Sequence, residues 1–297
     1  MIKKSLVLLI ILLFSVSAFS QRYGESDDFS YALKLYNEGF FDIAAQQFNL
    51  FVNRYPNSER VPDAKYYQAQ SLYRVKDFEN ARIEFQSLAV SFPDNSRAPE
   101  AWQKVGECYV KLHKPDEAAR AFETVKVLYP DDPGAPMALY NAAGIYFRQN
   151  KIDKAQLVLQ DFLDRYPDSA VYPRGRLLFA QLLIQKQNFD QANKEFEKVL
   201  QSDAEPAVMA EANLGLAVFY EKLGQLDRAK KQCQLVIDKY GDSPVAFDAV
   251  LNLGNLLAKT REFDQAVSLL NKNLTRYKTN KQNAELNLLL AAVNYLN

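Results

Sequence analysis

Phe41-Asp42-Ile43-Ala44 returns 37 residues later as Phe78-Glu79-Asn80-Ala81, then as Pro115-Asp116-Glu117-Ala118 and Ile152-Asp153-Lys154-Ala155. The series runs on through Phe189-Asp190-Gln191-Ala192, Leu226-Asp227-Arg228-Ala229 and Phe263-Asp264-Gln265-Ala266. A period held over seven copies marks a stack of like units, none able to bury its apolar face alone. Seven such units occupy residues 26–284.

Working outward from the anchor alanines, each repeat shows the same pairing of sizes. Twelve residues before the anchor stands Ala32, Ala69, Gly106, Ala143, Ala180, Ala217 or Gly254, and nine before it a Leu or Tyr. Four after it come Phe48, Phe85, Phe122, Leu159, Phe196, Cys233 and Leu270. Small residues opposite large ones at helical spacing are what two closely crossing helices require. Each repeat therefore reads as helix A, a tight turn and helix B.

The helix ends agree. Every repeat places an acid two residues before the anchor, in the first turn of helix B, where the helix dipole favours negative charge. Fourteen residues after the anchor stand Ser58, Asn95, Asp132, Ser169, Pro206, Ser243 and Asn280, and six of these seven are expected to cap the next helix A. Pro62, Pro99, Pro136 and Pro173 fall near that helix's first turn, where proline is best tolerated.

This small–large–Ala–Phe–Pro signature resembles the tetratricopeptide repeat over the whole chain after its leader. The extra residues relative to that family's usual period of about 34 lie between helix B and the next helix A. The segment from Tyr55 to Ala64 is similar to the long-connector repeats of bacterial envelope proteins, such as the Tol-Pal periplasmic coordinator and the outer-membrane-assembly lipoprotein subunit. The resemblance implies an all-α, right-handed α-solenoid of seven helix-turn-helix repeats. Residues 285–297 are expected to add a capping helix, with Leu286, Leu289, Leu290, Val293 and Leu296 covering repeat seven. It also implies a non-catalytic scaffold that binds protein or peptide.

The first 20 residues read as a cleaved signal peptide. Lys3 and Lys4 precede an apolar run from Leu6 to Phe14, and Ala18 and Ser20 stand as in a small-residue cleavage site before Gln21. The run is shorter than the ~20 residues of a membrane-spanning helix, although an uncleaved anchor is the alternative. No Cys lies at the cleavage site for lipid attachment. Export to the periplasm, soluble or peripherally associated, is the expectation.

Composition removes other classes. Thirty-six Lys and Arg balance 36 Asp and Glu, which gives no electrostatic reason to expect a nucleic-acid partner. One His and two Cys leave no zinc-ligand set, and no serine-nucleophile, phosphate-loop or dinucleotide motif is present. No cofactor, metal or catalytic residue is expected, and no integral membrane span. The sequence does not fix the oligomeric state. Cys108 and Cys233 lie in repeats far apart in the stack and read as two free, packed thiols.

On helix A, the positions 15 and 8 before the anchor form one stripe, since seven residues are close to two turns. In repeats one, two and four that stripe is aromatic: Phe29 and Tyr36, Tyr66 and Tyr73, Tyr140 and Phe147. In the resembled family this side of helix A lines the concave groove, so these six are the candidate partner groove, with packing between helices as the alternative. The alternative function is a glycan- or peptidoglycan-binding accessory module that uses these groove tyrosines. Arg74, Lys111, Arg148, Lys222 and Lys259, near the A–B turns, are either a solvated edge or a shallow cationic rim for an acidic partner. His113, in the turn of repeat three, reads as an exposed loop residue rather than a base or ligand.

One junction departs from the pattern. After repeat five the aromatic-Pro-x-cap sequence is replaced by Asp203-Ala204-Glu205-Pro206. Asp203, Ala204 and Pro206 are the candidate hinge, dividing repeats one to five (26–210) from repeats six and seven (211–284).

Overall fold

The computed structural model describes residues 24–296, and among them every regular element is an α-helix. Residues 1–20, expected from the sequence to be a signal peptide, lie outside the described residues. Two compact units meet in sequence between Lys151 and Ile152.

The first unit holds α1 (24–37), α2 (Phe41–Arg54), α3 (Val61–Arg74), α4 (Phe78–Ser91), α5 (Ala98–Lys111), α6 (Pro115–Leu128) and α7 (Ala135–Arg148). Odd-numbered helices are the A helices and even-numbered ones the B helices. From α2 to α7 each packs on its neighbour in the chain, as a stack of repeats requires. Anchors Ala44, Ala81 and Ala118 are fully buried, as are the ring-bearing partners Phe48 and Phe85, while Phe122 is 2% exposed. The core is thus the predicted small-against-large seam, repeated.

The second unit holds α8 (Ile152–Arg165), α9 (Tyr172–Gln185), α10 (Phe189–Leu200), α11 (Pro206–Lys222), α12 (Leu226–Lys239), α13 (Ala246–Lys259), α14 (Phe263–Leu274) and α15 (Asn280–Leu296). Chain neighbours again pack together, and α9 also meets α11 and α13 meets α15. Ala155, Ala192, Ala229 and Ala266 are fully buried.

Every A–B turn closes in the same way. The residue five before the anchor has positive φ: Gly39 (85°), Lys76 (67°), His113 (57°), Asn150 (58°), Gln187 (60°), Gly224 (72°) and Arg261 (61°). Its N–H and the next one fold back onto the helix, as in His113 N–H to Val110 O (3.1 Å) and Lys114 N–H to Tyr109 O (2.9 Å). This is the Schellman arrangement, which satisfies carbonyls that the helix end leaves orphaned.

The B–A connectors correct one expectation. Ser58, Asn95, Asp132 and Ser169 stand two residues before the N-cap, and each side chain accepts the backbone N–H two residues on (Arg60, Arg97, Gly134 and Val171) at 2.8–3.2 Å. They make Asx- or Ser-type turns instead of capping the helix. Side-chain capping by these types occurs at B helices, where Asp77 accepts from Asn80 N–H and Asn188 from Gln191 N–H.

Two boundaries also move. The division expected after residue 210 falls inside α11, which begins at Pro206 and is continuous for 17 residues. Proline at its first position lacks only an N–H that the helix end would leave unpaired, so helix replaces connector there. The capping helix also begins before residue 285, at Asn280, where Thr279 Oγ1 accepts the Gln282 N–H at 3.3 Å. Within it Leu286 and Val293 are buried and Leu289 and Leu290 half-buried, but Leu296 is exposed and covers nothing.

Candidate functional site

The six candidate groove residues all belong to the first unit, and they separate by depth. Phe29 and Tyr66 are 8% exposed, whereas Tyr36, Tyr73, Tyr140 and Phe147 are half-buried. The reason is geometric. Fifteen before the anchor, a side chain leans over the B helix: Phe29 meets Phe48 and Phe51 edge-on at 5.7 and 5.4 Å, and Tyr66 meets Phe85 at 6.0 Å. Two turns later the same stripe reaches the end of helix A, where less is stacked above it. For Phe29 and Tyr66 packing is the correct reading, and they are not open to a partner.

Tyr66 is also chemically closed. Its hydroxyl donates to Glu100 Oε1 at 2.6 Å, accepts from Gln70 Nε2 at 2.8 Å, and its ring lies under the Arg97 guanidinium at 4.2 Å. Burial, then the Glu100 carboxylate, pushes the Tyr66 hydroxyl well above the usual phenol range. Arg97 in turn binds Asp63 at 2.5 Å.

The half-buried members are less enclosed. Tyr36 stands edge-on to Phe41 (5.4 Å) and Tyr67 (5.1 Å), and Tyr73 edge-on to Phe78 (5.3 Å) with Lys104 Nζ at 5.5 Å from its ring. Burial pushes the Tyr73 hydroxyl up to about 12, helped by the charge of Glu107, to which it is hydrogen-bonded. Such rings, fixed on one side and accessible on the other, are suited to hold an apolar side chain of a partner.

The cationic row is partly engaged within the chain. Arg74 lies over the Phe41 ring at 5.6 Å, and Lys259 pairs with Glu221 at 3.2 Å. The acids before the anchors have a second use that the sequence reading missed. Glu79 pairs with Lys114 (3.6 Å) and Asp116 with Lys151 (2.5 Å), each lysine standing at the A–B turn of the following repeat. The sequence carries little signal for this, since the acid recurs in all seven repeats but a Lys stands four before the anchor only at Lys114 and Lys151. Their solvent exposure keeps each pair weak.

His113 is exposed and borders a depression of about 280 Å³ with Val110, Pro115, Ile145, Arg148 and Gln149. Cys108 and Cys233 are both free and fully buried, and burial pushes each thiol up to about 12. Among the described residues no group of three or more His, Cys, Asp or Glu is arranged to hold a metal ion, and no helix is long and apolar enough to cross a membrane. At the candidate hinge Asp203 and Pro206 are exposed and Ala204 is half-buried, in a turn closed by Ser202 N–H and Oγ on Val199 O.

Comparison with known proteins agrees with this architecture. No curated protein matches the sequence. The chain resembles a tetratricopeptide repeat protein from Parabacteroides merdae with a TM-score of 0.61 at 16% identity, over 91% of this chain and 98% of that one. It resembles RapI in its apo form with a TM-score of 0.62 at 13% identity, over 91% and 81%. PilW, described as a widely conserved type IV pilus biogenesis factor, gives a TM-score of 0.58 at 17% identity, over 76% and 98%. At such identities the likeness is one of fold. Family models for the tetratricopeptide repeat match residues 32–96, 100–132, 137–169 and 183–247, together more than half of the sequence, and the chain belongs to the tetratricopeptide repeat family.

Proposed function

We propose that this protein is a non-catalytic scaffold of the bacterial cell envelope that holds a protein or peptide along the A helices of its first unit. The observation that carries the reading is the row of half-buried aromatic residues Tyr36, Tyr73, Tyr140 and Phe147 on α1, α3 and α7. Tetratricopeptide repeats supply rigid surfaces of this kind. The envelope setting is supported by the basic start, short apolar run and small residues of positions 1–20. The long connector from Tyr55 to Ala64 supports it too.

The test places a photo-cross-linking amino acid at Tyr73 in the living cell, with a control at Leu157, which is 73% exposed on α8. Adducts to one protein from position 73 alone are expected, in the envelope fraction. The purified partner then binds the purified chain, and binding weakens for Tyr73→Ala but not for Leu157→Ala. Equal adducts from both positions, or retention of the chain on peptidoglycan without a protein partner, would overturn the proposal.

A further inference from the structure

The ring pairs that close the first two repeats stop at the third. Tyr36 meets Phe41 at 5.4 Å and Tyr73 meets Phe78 at 5.3 Å, each time the end of helix A against the first residue of helix B. The same two places in repeat three hold Val110 and Pro115. These line the depression of about 280 Å³, together with Ile145 and Arg148 of α7. Two side chains without rings leave the space that a ring pair fills in the repeats before.

Arg148 shows the same gap from above. Arg74 lies over the Phe41 ring at 5.6 Å. Arg148 stands two periods after Arg74, as Pro115 stands two periods after Phe41. The cation therefore recurs in register while the ring beneath it does not. Among the described residues the Arg148 side chain makes no ion pair, hydrogen bond or ring contact.

The space is open, since Val110, Pro115 and Arg148 are all exposed, and Ile145 gives it a buried apolar wall. It is smaller than the ~300–1,000 Å³ of sites that enclose drug-sized molecules, and is of the scale of one side chain. Apolar walls beside an unpaired guanidinium are the surroundings that an aromatic ring satisfies, through its area and through the negative charge of its face.

We propose that this depression takes an aromatic side chain of the protein partner, seated against Val110 and Pro115 with Arg148 over its face. This rests on the scaffold reading above, because Val110 belongs to the same row as Tyr73 and Phe147 on the flanking A helices. It adds the class of residue that the partner presents.

The probe is N-acetyl-phenylalaninamide, titrated against the full chain by ligand-observed NMR, with N-acetyl-leucinamide as control. The phenylalanine derivative is expected to bind about two- to fivefold more tightly, the gain from a cation over an exposed ring, and Arg148→Ala to remove the difference. Val110→Tyr and, separately, Pro115→Phe refill the space from within and abolish binding of both derivatives. Both positions are exposed, so the circular dichroism spectrum stays unchanged. A partner captured through Tyr73 binds Val110→Tyr about tenfold more weakly, as for a lost aromatic anchor. Equal binding of the two derivatives, or binding retained by both refilled variants, would overturn the site. Unchanged partner affinity for Val110→Tyr would overturn the assignment of the ring to the partner. The derivatives need no partner, so a missing adduct at Tyr73 counts against the scaffold reading and leaves their result standing.

Discussion

The ring of Phe122 lies against the backbone of Gly106 so closely that a Cβ on the glycine would meet its Cε1 at 2.7 Å. The two residues are 16 apart, small on helix A and large on helix B, and the same pair recurs as Ala32 with Phe48 and Ala69 with Phe85. The Gly106→Ala variant gains helix propensity of about 0.5–1 kcal/mol but overpacks a core seam, which costs about 1–3 kcal/mol. A net fall in the urea midpoint is expected, and Phe122→Leu in the same chain recovers part of it. An unchanged midpoint for the single variant would show that the ring moves freely.

The A–B turns supply a second prediction. His113 holds a left-handed conformation at φ 57° that favours glycine, while Gly39 and Gly224 occupy the matching place in their repeats. Substituting His113→Gly relieves strain of about 1–3 kcal/mol and adds unfolded-state entropy worth about 0.5–1. A rise in melting temperature is expected for His113→Gly and a fall for Gly224→Ala, by calorimetry. The opposite signs would refute the strain argument.

Depth is expected to separate Tyr66 from Tyr73 in function. Truncating buried Tyr66 to Ala removes a core ring, at about 3–5 kcal/mol. The Tyr73→Ala variant, half-buried, is expected to lose less stability and more partner affinity. Chemical denaturation of both, with binding measured on the captured partner, checks the split. Equal loss of stability would place Tyr73 in the core as well.

Alkaline pH weakens the same region. Tyr73 and Tyr146 are pushed up to about 12 by burial, assisted by Glu107 and Glu123. The unfolded phenol titrates near about 10. The folded state therefore keeps protons that the unfolded state has lost, and this stabilisation is complete below pH 10 and disappears as pH rises toward 12. Urea midpoints across that interval are expected to fall, and less steeply for Tyr146→Phe. A flat profile would contradict the burial of these hydroxyls.

At the junction of α10 and α11, the aromatic plug of the other connectors is missing, and Asp203 and Pro206 are exposed. Tyr55 in the first connector is only 7% exposed and bonds Asp28 at 2.8 Å. Opening is expected to concentrate at 201–205, because stability in a stack is a sum of local contacts. Limited proteolysis with mapped fragments locates the first cut. Protection there, with earlier cuts at Tyr-Pro connectors, would show that the Arg174–Glu205 approach (3.9 Å) and the longer α11 compensate.

The sequence alone determined the repeat, the helix pair within it and the seam that joins the pair. These follow from a local period: anchors 37 apart put every alanine and its facing ring in the same environment, and burial confirmed each anchor. It also placed the A–B turns as tight links before each anchor, whereas the left-handed residue that closes each of them came from the structure. What tertiary structure decided is exposure. Phe29 and Tyr36 share one stripe by periodicity, yet the first is sealed by Phe48 and Phe51 while the second is half-buried. Only the packing of the neighbouring helices distinguishes them. Likewise Asp116 reads in sequence as a charge at a helix start, and only stacking brings Lys151 to it across 35 residues. Periodicity fixes which side of a helix a residue occupies; what covers that side depends on contacts distant in the chain.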